Sequence, residues 1–299
     1  PICTKKGIAF FGRDSESTLP VWSARDGYPG NPNYREFHRD LGWDLSIENL
    51  KKIGINEKRP LGIKLFKISS KHTKLENKQP YDPIAAQESV EKDAKKYLKE
   101  RKQQLKKLKE SMKIDPILIA PFDAELFGHW WFEGPKFLTQ LFVQSKKAGI
   151  KLITLREALT LKPQIQLCNP SPSSWGQGGF HHYWLNESNA WIVNEWSKAG
   201  GEMVRVCSEG VKKESDIQII KQAGRELLLS QSSDWSFILK AGTTTELARE
   251  RINLHLKRFW ILINAVKDNK IIEENFLKEI EEEDCIFPLI SPIDWKKKI

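Results

Sequence analysis

Cysteine is scarce: four residues, Cys3, Cys168, Cys207 and Cys285, are spread along 299 positions and form no Cys-x-x-Cys pair. That argues against a disulfide framework and a structural zinc site, and it fits a reducing cytoplasm. Long apolar runs are absent too, and none approaches the roughly 20 residues that a membrane-spanning helix needs. Pro1 to Gly12 lacks an initiator methionine, a long apolar core and a cleavage site, so it is no signal peptide. Those first residues read as the middle of a fold, and the chain is expected to be a fragment. No internal repeat occurs, and the only low-complexity tract is lysine-rich. What remains is an ordinary globular composition, 39% hydrophobic and 29% charged, long enough for one large domain or two.

Acidic residues are the minority among the charges, and the formal net charge is +9. Much of the excess lies between residues 92 and 113, where ten Lys or Arg face three acids. This reads as the solvated face of a helix, so neither a nucleic-acid partner nor a membrane is expected. Tryptophan, by contrast, is plentiful at 11 residues. Indoles usually fill cores, but they also line sugar-binding clefts.

Residues 7 to 45 mix Gly, Pro, Asn, Asp and Arg with aromatics, which predicts long loops around short elements. Leu61 to Ile68 alternates apolar and polar residues like a strand. Val90, Ala94, Tyr97, Leu105, Leu108 and Met112 recur at helical spacing and predict a long amphipathic helix over 84–113. Ile117 to Ala120 reads as a buried strand. Pro135 suits a first helical position, and the helix it opens should stop at Gly149. Ile150 to Ile153 is another short apolar run, and Thr154-Leu-Arg-Glu157 is a capping box for a further helix. Residues 114 to 160 thus read strand, helix, strand, helix, which indicates α/β architecture with chemistry at the strand ends. Near residue 163 the composition turns rich in Pro, Gly and Ser, and beyond it the chain reads as helical. Ile252, Leu256, Phe259, Ile263 and Val266 form a stripe within 245–268; residues 188–200 and 271–284 are weaker helix candidates.

The chemistry-bearing stretch is Pro121 to Gly134. It packs Asp123, Glu125 and Glu133, His129, and five aromatic rings just past the strand candidate. Carboxylates serve acid–base and nucleophilic work, and flat rings suit the apolar faces of sugars. Glu125 and Glu133 read as structural acids holding loop or Arg groups, and His129 as either a packing or a sugar-contacting side chain. His181-His182 has no Cys or acid at ligand spacing, so no metal is expected. Gly176, Gly178 and Gly179 lack the strand–helix context of a phosphate loop.

Pro121 to Pro135 (PFDAELFGHWWFEGP) closely resembles the acid-bearing motif of glycoside hydrolase family 57, within its 1,4-α-glucan branching enzymes. Phe10 to Asp44, with its phrases FGRD, VWSA, GYPG and YREF-RD, Ser173 to Gly179 with the Trp-rich segment after it, and Ser233 to Phe237 resemble further motifs of that subfamily. The resemblance implies the carboxyl-terminal part of an incomplete (β/α)7 barrel over 1–162, followed by a helical domain over 163–299 that completes the substrate cleft. It implies retaining cleavage of an α-1,4 glucan and transfer to a 6-hydroxyl, with no cofactor. Asp123 would be the general acid/base, and Arg13, Trp22, Gly30, Trp175 and Asp234 would contact substrate. Many family members carry Gln nine residues beyond the position of Asp234, where this chain has Thr243. The family's nucleophilic Glu sits in a WLPE-type motif upstream of the FGRD block, and this sequence contains no such motif; Trp184-Leu-Asn-Glu187 lies in the wrong context. A separate amino-terminal chain is therefore one expected partner. An α-amylase or 4-α-glucanotransferase of the same family, and a non-catalytic glucan-binding fragment, stand as alternatives.

Overall fold

The computed structural model describes residues 1–161, 165–174, 176–211 and 213–297. The chain divides into two compact units, Pro1–Pro170 and Ser171–Ile299.

In the first unit, β1 (Ile2–Cys3) pairs antiparallel with β2 (Ala9–Phe10) and parallel with β3 (Gln166–Leu167) in a small sheet. Short helices α1 (Ser15–Trp22), α2 (Leu41–Asp44) and α3 (Ile47–Lys52) punctuate the loop-rich start. Asp14 opens α1, its Oδ2 accepting the Ser17 N–H at 2.7 Å. The long helix α4 (Pro83–Met112) starts on Asp82, whose carboxylate accepts from Ile84 and Ala85, and stops at Lys113 in the left-handed region. Helix α5 (Gly134–Ala148) stops at Gly149, whose φ of 74° no other residue adopts easily. Helix α6 (Leu155–Leu161) carries the expected capping box: Glu157 N–H donates to Thr154 Oγ1 at 3.2 Å, and Thr154 N–H donates to Glu157 Oε2 at 2.8 Å.

The core of this unit lies between α4 and α5. Val90, Ala94, Tyr97 and Leu98 of α4 meet Phe137 and Leu141 of α5, with Tyr28, Tyr34 and Trp131 filling the gap from the loops. Aromatic edges dominate: Trp131 and Phe137 have ring centroids 4.9 Å apart, and Tyr28 and Phe137 5.6 Å. The far end of α4 clamps α1. Tyr97 Oη donates to Ser17 O at 3.1 Å, Arg101 NH1 to Glu16 O at 2.9 Å, and Gln104 Nε2 to Asp14 Oδ2 at 3.0 Å.

The expected strands are corrected by the structure. Residues 117–120 and 150–153 form neither strand nor helix and belong to no ladder among the described residues. An apolar run signals burial, whereas a strand also needs a neighbour that supplies hydrogen bonds. At 117–120 the backbone is held by Asp14 N–H donating to Ile119 O at 2.8 Å. Leu61 to Ile68 is broken by Gly62 at φ 73° and forms bridges at Phe66 and Lys67. The described chain is therefore mostly helical with a three-stranded sheet of two-residue strands.

The second unit contains α7 (Ala190–Glu209), α8 (Glu214–Ser230), α9 (Ser233–Ala241), α10 (Thr245–Asp268) and α11 (Glu274–Glu283). Its core joins Met203 and Val206 of α7, Ile220 and Leu227 of α8, and Ile252, Phe259, Leu262 and Ile263 of α10. Trp191, Trp196, Trp235 and Trp260 pack half-buried against it, as core residues of a helical unit would. Gly224 lets α8 approach the chain's end: a Cβ there would stand 2.5 Å from Trp295 Cη2. Among the described residues, no helix is long and apolar enough to cross a membrane.

Candidate active site

The stretch 121–134 folds back on itself into a braced loop. Asp123 precedes a single 3-10 turn, Ala124–Leu126. Trp130 N–H donates to Glu125 O at 3.1 Å, Trp131 N–H to Leu126 O at 2.9 Å, and Gly128 N–H to Trp131 O at 2.9 Å. Gly134 leaves room for this return, since a Cβ there would stand 2.9 Å from the Phe127 backbone. The indoles split by environment: Trp131 is buried in the core, and Trp130 is exposed. Phe37 lies against Trp130 with centroids 4.7 Å apart, and exposed His129 stands edge-on to both rings.

Asp123 is half-buried, and among the described residues no group donates a hydrogen bond to its carboxylate. Phe122 beside it meets Phe127 edge-on at 5.6 Å. Glu125 is exposed. Glu133 is buried and structural, its Oε1 accepting the Arg35 N–H at 3.1 Å. Burial raises the Glu133 pKa against the opposing pull of the Tyr81 hydroxyl and the Arg35 N–H. The Arg35 guanidinium in turn sits 3.6 Å above the centre of the Phe132 ring. The acid-bearing loop is thereby tied to the 31–37 segment at two points.

Of the residues that the sequence singles out, Arg13, Trp22, Gly30 and Asp123 belong to the first unit. Arg13 precedes α1 and Trp22 is its last residue, and both are exposed. The bond from Asp14 to Ile119 ties the start of α1 to the segment that leads into Asp123. Gly30 has a packing reason of its own, because a Cβ there would lie 2.3 Å from Ala24 O. It borders a polar groove of about 410 Å³ lined also by Tyr28, Asn31, Asp93 and Glu100; Asp123 is not part of that lining. Asp234 belongs to the second unit, exposed in the first turn of α9, and accepts from Ser232 Oγ at 2.7 Å. Trp175 lies outside the described residues.

Two buried polar constellations escaped the sequence reading. Asp40, 1% exposed, accepts N–H groups from Gly42, Leu61 and Gly62 and pairs with Lys64. In the second unit, Glu226, His255 and Asp284 bring ligand-type atoms within 4.8 Å of one another, the one such set among the described residues. Neither shows as a spacing, because the partners come from distant parts of the chain. The one local trace is Gln222 and Glu226, polar residues at i and i+4 on the buried face of α8.

Residues 195–295 match the family model described as "1,4-alpha-glucan branching enzyme, C-terminal". The chain is 34% identical, over 289 residues, to the 1,4-alpha-glucan branching enzyme of Thermococcus kodakarensis, covering 94% of this chain and 40% of that protein. Its fold matches the GH57-type branching enzyme of Pyrococcus horikoshii with a TM-score of 0.80 at 32% identity, covering 100% of this chain and 54% of that one. It also matches the α-amylase AmyC of Thermotoga maritima, with a TM-score of 0.78 at 36% identity, covering 100% of this chain and 57% of that one. The chain thus spans roughly half the length of these relatives.

Proposed function

Because this chain belongs to glycoside hydrolase family 57, alongside its branching enzymes, we propose that it is the carboxyl-terminal part of a 1,4-α-glucan branching enzyme. The observation that carries this reading is the setting of Asp123. Asp123 is half-buried and its carboxylate is free of hydrogen-bond donors among the described residues, on a loop braced by its own backbone and by Glu133. A general acid must meet the glycosidic oxygen from a defined position, and this loop supplies one.

In this reading Asp123 protonates the leaving 4-oxygen of an α-1,4 linkage while a carboxylate on the opposite face attacks the anomeric carbon. The two carboxyl groups of a retaining pair stand about 5–5.5 Å apart. Asp123, then a carboxylate, takes the proton from the 6-hydroxyl of an acceptor glucan, whose oxygen displaces the enzyme and closes an α-1,6 branch. The nucleophilic Glu comes from a segment outside this sequence, on the same longer chain or on a separate amino-terminal one. Residues 1–162 form the last part of the incomplete (β/α)7 barrel, and 163–299 form the helical domain that follows it in the chain. Arg13, Trp22, Gly30, Trp175 and Asp234 hold the glucan. The four cysteines are free thiols, which supports a cytoplasmic location.

The likeness to the Thermotoga α-amylase favours a second reading, in which water replaces the acceptor hydroxyl. One assay separates the two. The chain is joined to the upstream half of the Thermococcus relative and incubated with amylose. New α-1,6 branch points without a matching rise in reducing ends are expected, and Asp123→Asn abolishes them. Reducing ends without branches would establish hydrolysis. Full activity in Asp123→Asn would remove Asp123 from the mechanism.

A further inference from the structure

We propose that Glu226, His255 and Asp284 form a binding site for one divalent transition-metal ion, of the Zn²⁺ class, inside the helical unit. The three residues come from three elements, α8, α10 and the residue that ends α11, so one ion would clasp all three.

The donors already converge. Glu226 is fully buried and His255 is 4% exposed. Glu226 Oε2 stands 2.8 Å from His255 Nδ1, and Asp284 Oδ2 stands 3.8 Å from the same nitrogen. With metal–ligand lengths of about 2.0–2.2 Å, donors around a tetrahedral ion sit roughly 3.4 Å apart. The two observed separations bracket that value, so small side-chain rotations suffice. One imidazole nitrogen and two carboxylates suit a borderline ion such as Zn²⁺ better than Mg²⁺ or Ca²⁺, which prefer oxygen alone.

The surroundings supply orientation. Gln222 Nε2 donates to Glu226 Oε1 at 2.8 Å, occupying that oxygen and leaving Oε2 facing the histidine. Arg225 NH1 holds Gln222 Oε1 at 2.9 Å. Arg258 NH1 donates to Asp284 Oδ2 at 2.8 Å, a bond that the second lone pair of a ligating oxygen can accommodate. Metal-ligating carboxylates are commonly oriented by hydrogen bonds of this kind.

The charge balance also calls for a cation. Three carboxylates, Glu226, Glu283 and Asp284, gather around one ion-paired guanidinium, that of Arg258, which bonds the latter two. Among the described residues the direct ion-pair contact of Glu226 is with His255, and the charge of Arg258 also reaches it. Asp284 brings a carboxylate oxygen within 4.8 Å of one from Glu226. Buried like charges are costly unless compensated, and a divalent ion compensates both.

The test uses the chain as it stands, stripped with EDTA, dialysed and titrated with Zn²⁺. Calorimetry and elemental analysis should find one ion per chain, with a rise in melting temperature, and Co²⁺ should give visible absorption of a low-coordinate site. Asp284→Asn, at the half-exposed rim, should weaken Zn²⁺ at least 10-fold with an unchanged circular dichroism spectrum. His255→Asn should do the same. Cys285→Ser and a His181→Asn, His182→Asn double variant, exposed alternatives for adventitious binding, should match the parent. Absence of stoichiometric Zn²⁺ on the parent, parent-like affinity in Asp284→Asn, or loss of binding in Cys285→Ser would each overturn the proposal. The cluster would then be a hydrogen-bonded contact of His255 with Glu226 and no more.

Discussion

Asp40 and Glu133 are both buried carboxylates in the first unit, yet their environments act in opposite directions. At Asp40, burial alone would raise the pKa. The N–H groups of Leu61 and Gly42, with Lys64, outweigh it and hold the carboxyl below its ordinary range. At Glu133 the same burial wins, because fewer donors reach it, and the pKa rises. Little local in the sequence separates the two, since apart from Gly42 the groups that hold Asp40, at Leu61, Gly62 and Lys64, come from a distant part of the chain. The sign for Asp40 follows from linkage. A carboxyl with a depressed folded pKa adds stability above its unfolded value, 3.8, and loses it as pH falls through the folded one. Asp40→Asn should therefore cost about 2 kcal/mol at pH 7, in line with hydrogen bonds to a charged acceptor. The difference from the parent should shrink as pH drops below 3.8, measured by urea unfolding across a pH series.

Elements whose apolar residues repeat every three to four positions were legible, and others were not. The stripe through Ile252, Phe259 and Ile263 marks α10, and all three are fully buried. Helix α4 and the Gly149 stop of α5 were equally plain. Helix α7 was under-read as 188–200, because Gly200 and Gly201 look like a terminus. It continues to Glu209 because Met203, Val206 and Cys207 beyond the glycines are buried against α8 and α10. Packing outweighs the roughly 1 kcal/mol that each helical glycine costs. Phe259 sits where these helices meet, so Phe259→Ala should destabilise the unit by about 3–5 kcal/mol. Thermal unfolding followed at the helical circular dichroism band would measure this, and a loss under 1 kcal/mol would contradict the packing described. The strands failed for the converse reason: 117–120 and 150–153 have strand composition but no ladder neighbour among the described residues.

On the scale of the whole molecule, the division at Pro170 and Ser171 leaves each unit with its own core. Residues 171–299 expressed alone should give a helical spectrum and a single cooperative melt, since their core draws on no residue of the first unit. A non-cooperative melt would show that the cluster is insufficient by itself. The candidate chemistry is distributed differently. Asp123, Arg13, Trp22 and Gly30 lie in one unit and Asp234 in the other.

By itself the sequence determined which stretch gathers side chains capable of chemistry and which faces of the long helices are apolar. Both are written in residue type and short-range spacing, and the motif around Asp123 is contiguous. Only the tertiary structure decided which carboxylates are buried, which indole of the Trp130-Trp131 pair faces solvent, and that Glu226, His255 and Asp284 meet. Those outcomes depend on partners 29 residues or more away in the case of His255 and Glu226, and a contact formed by packing leaves no periodic trace in the chain that makes it.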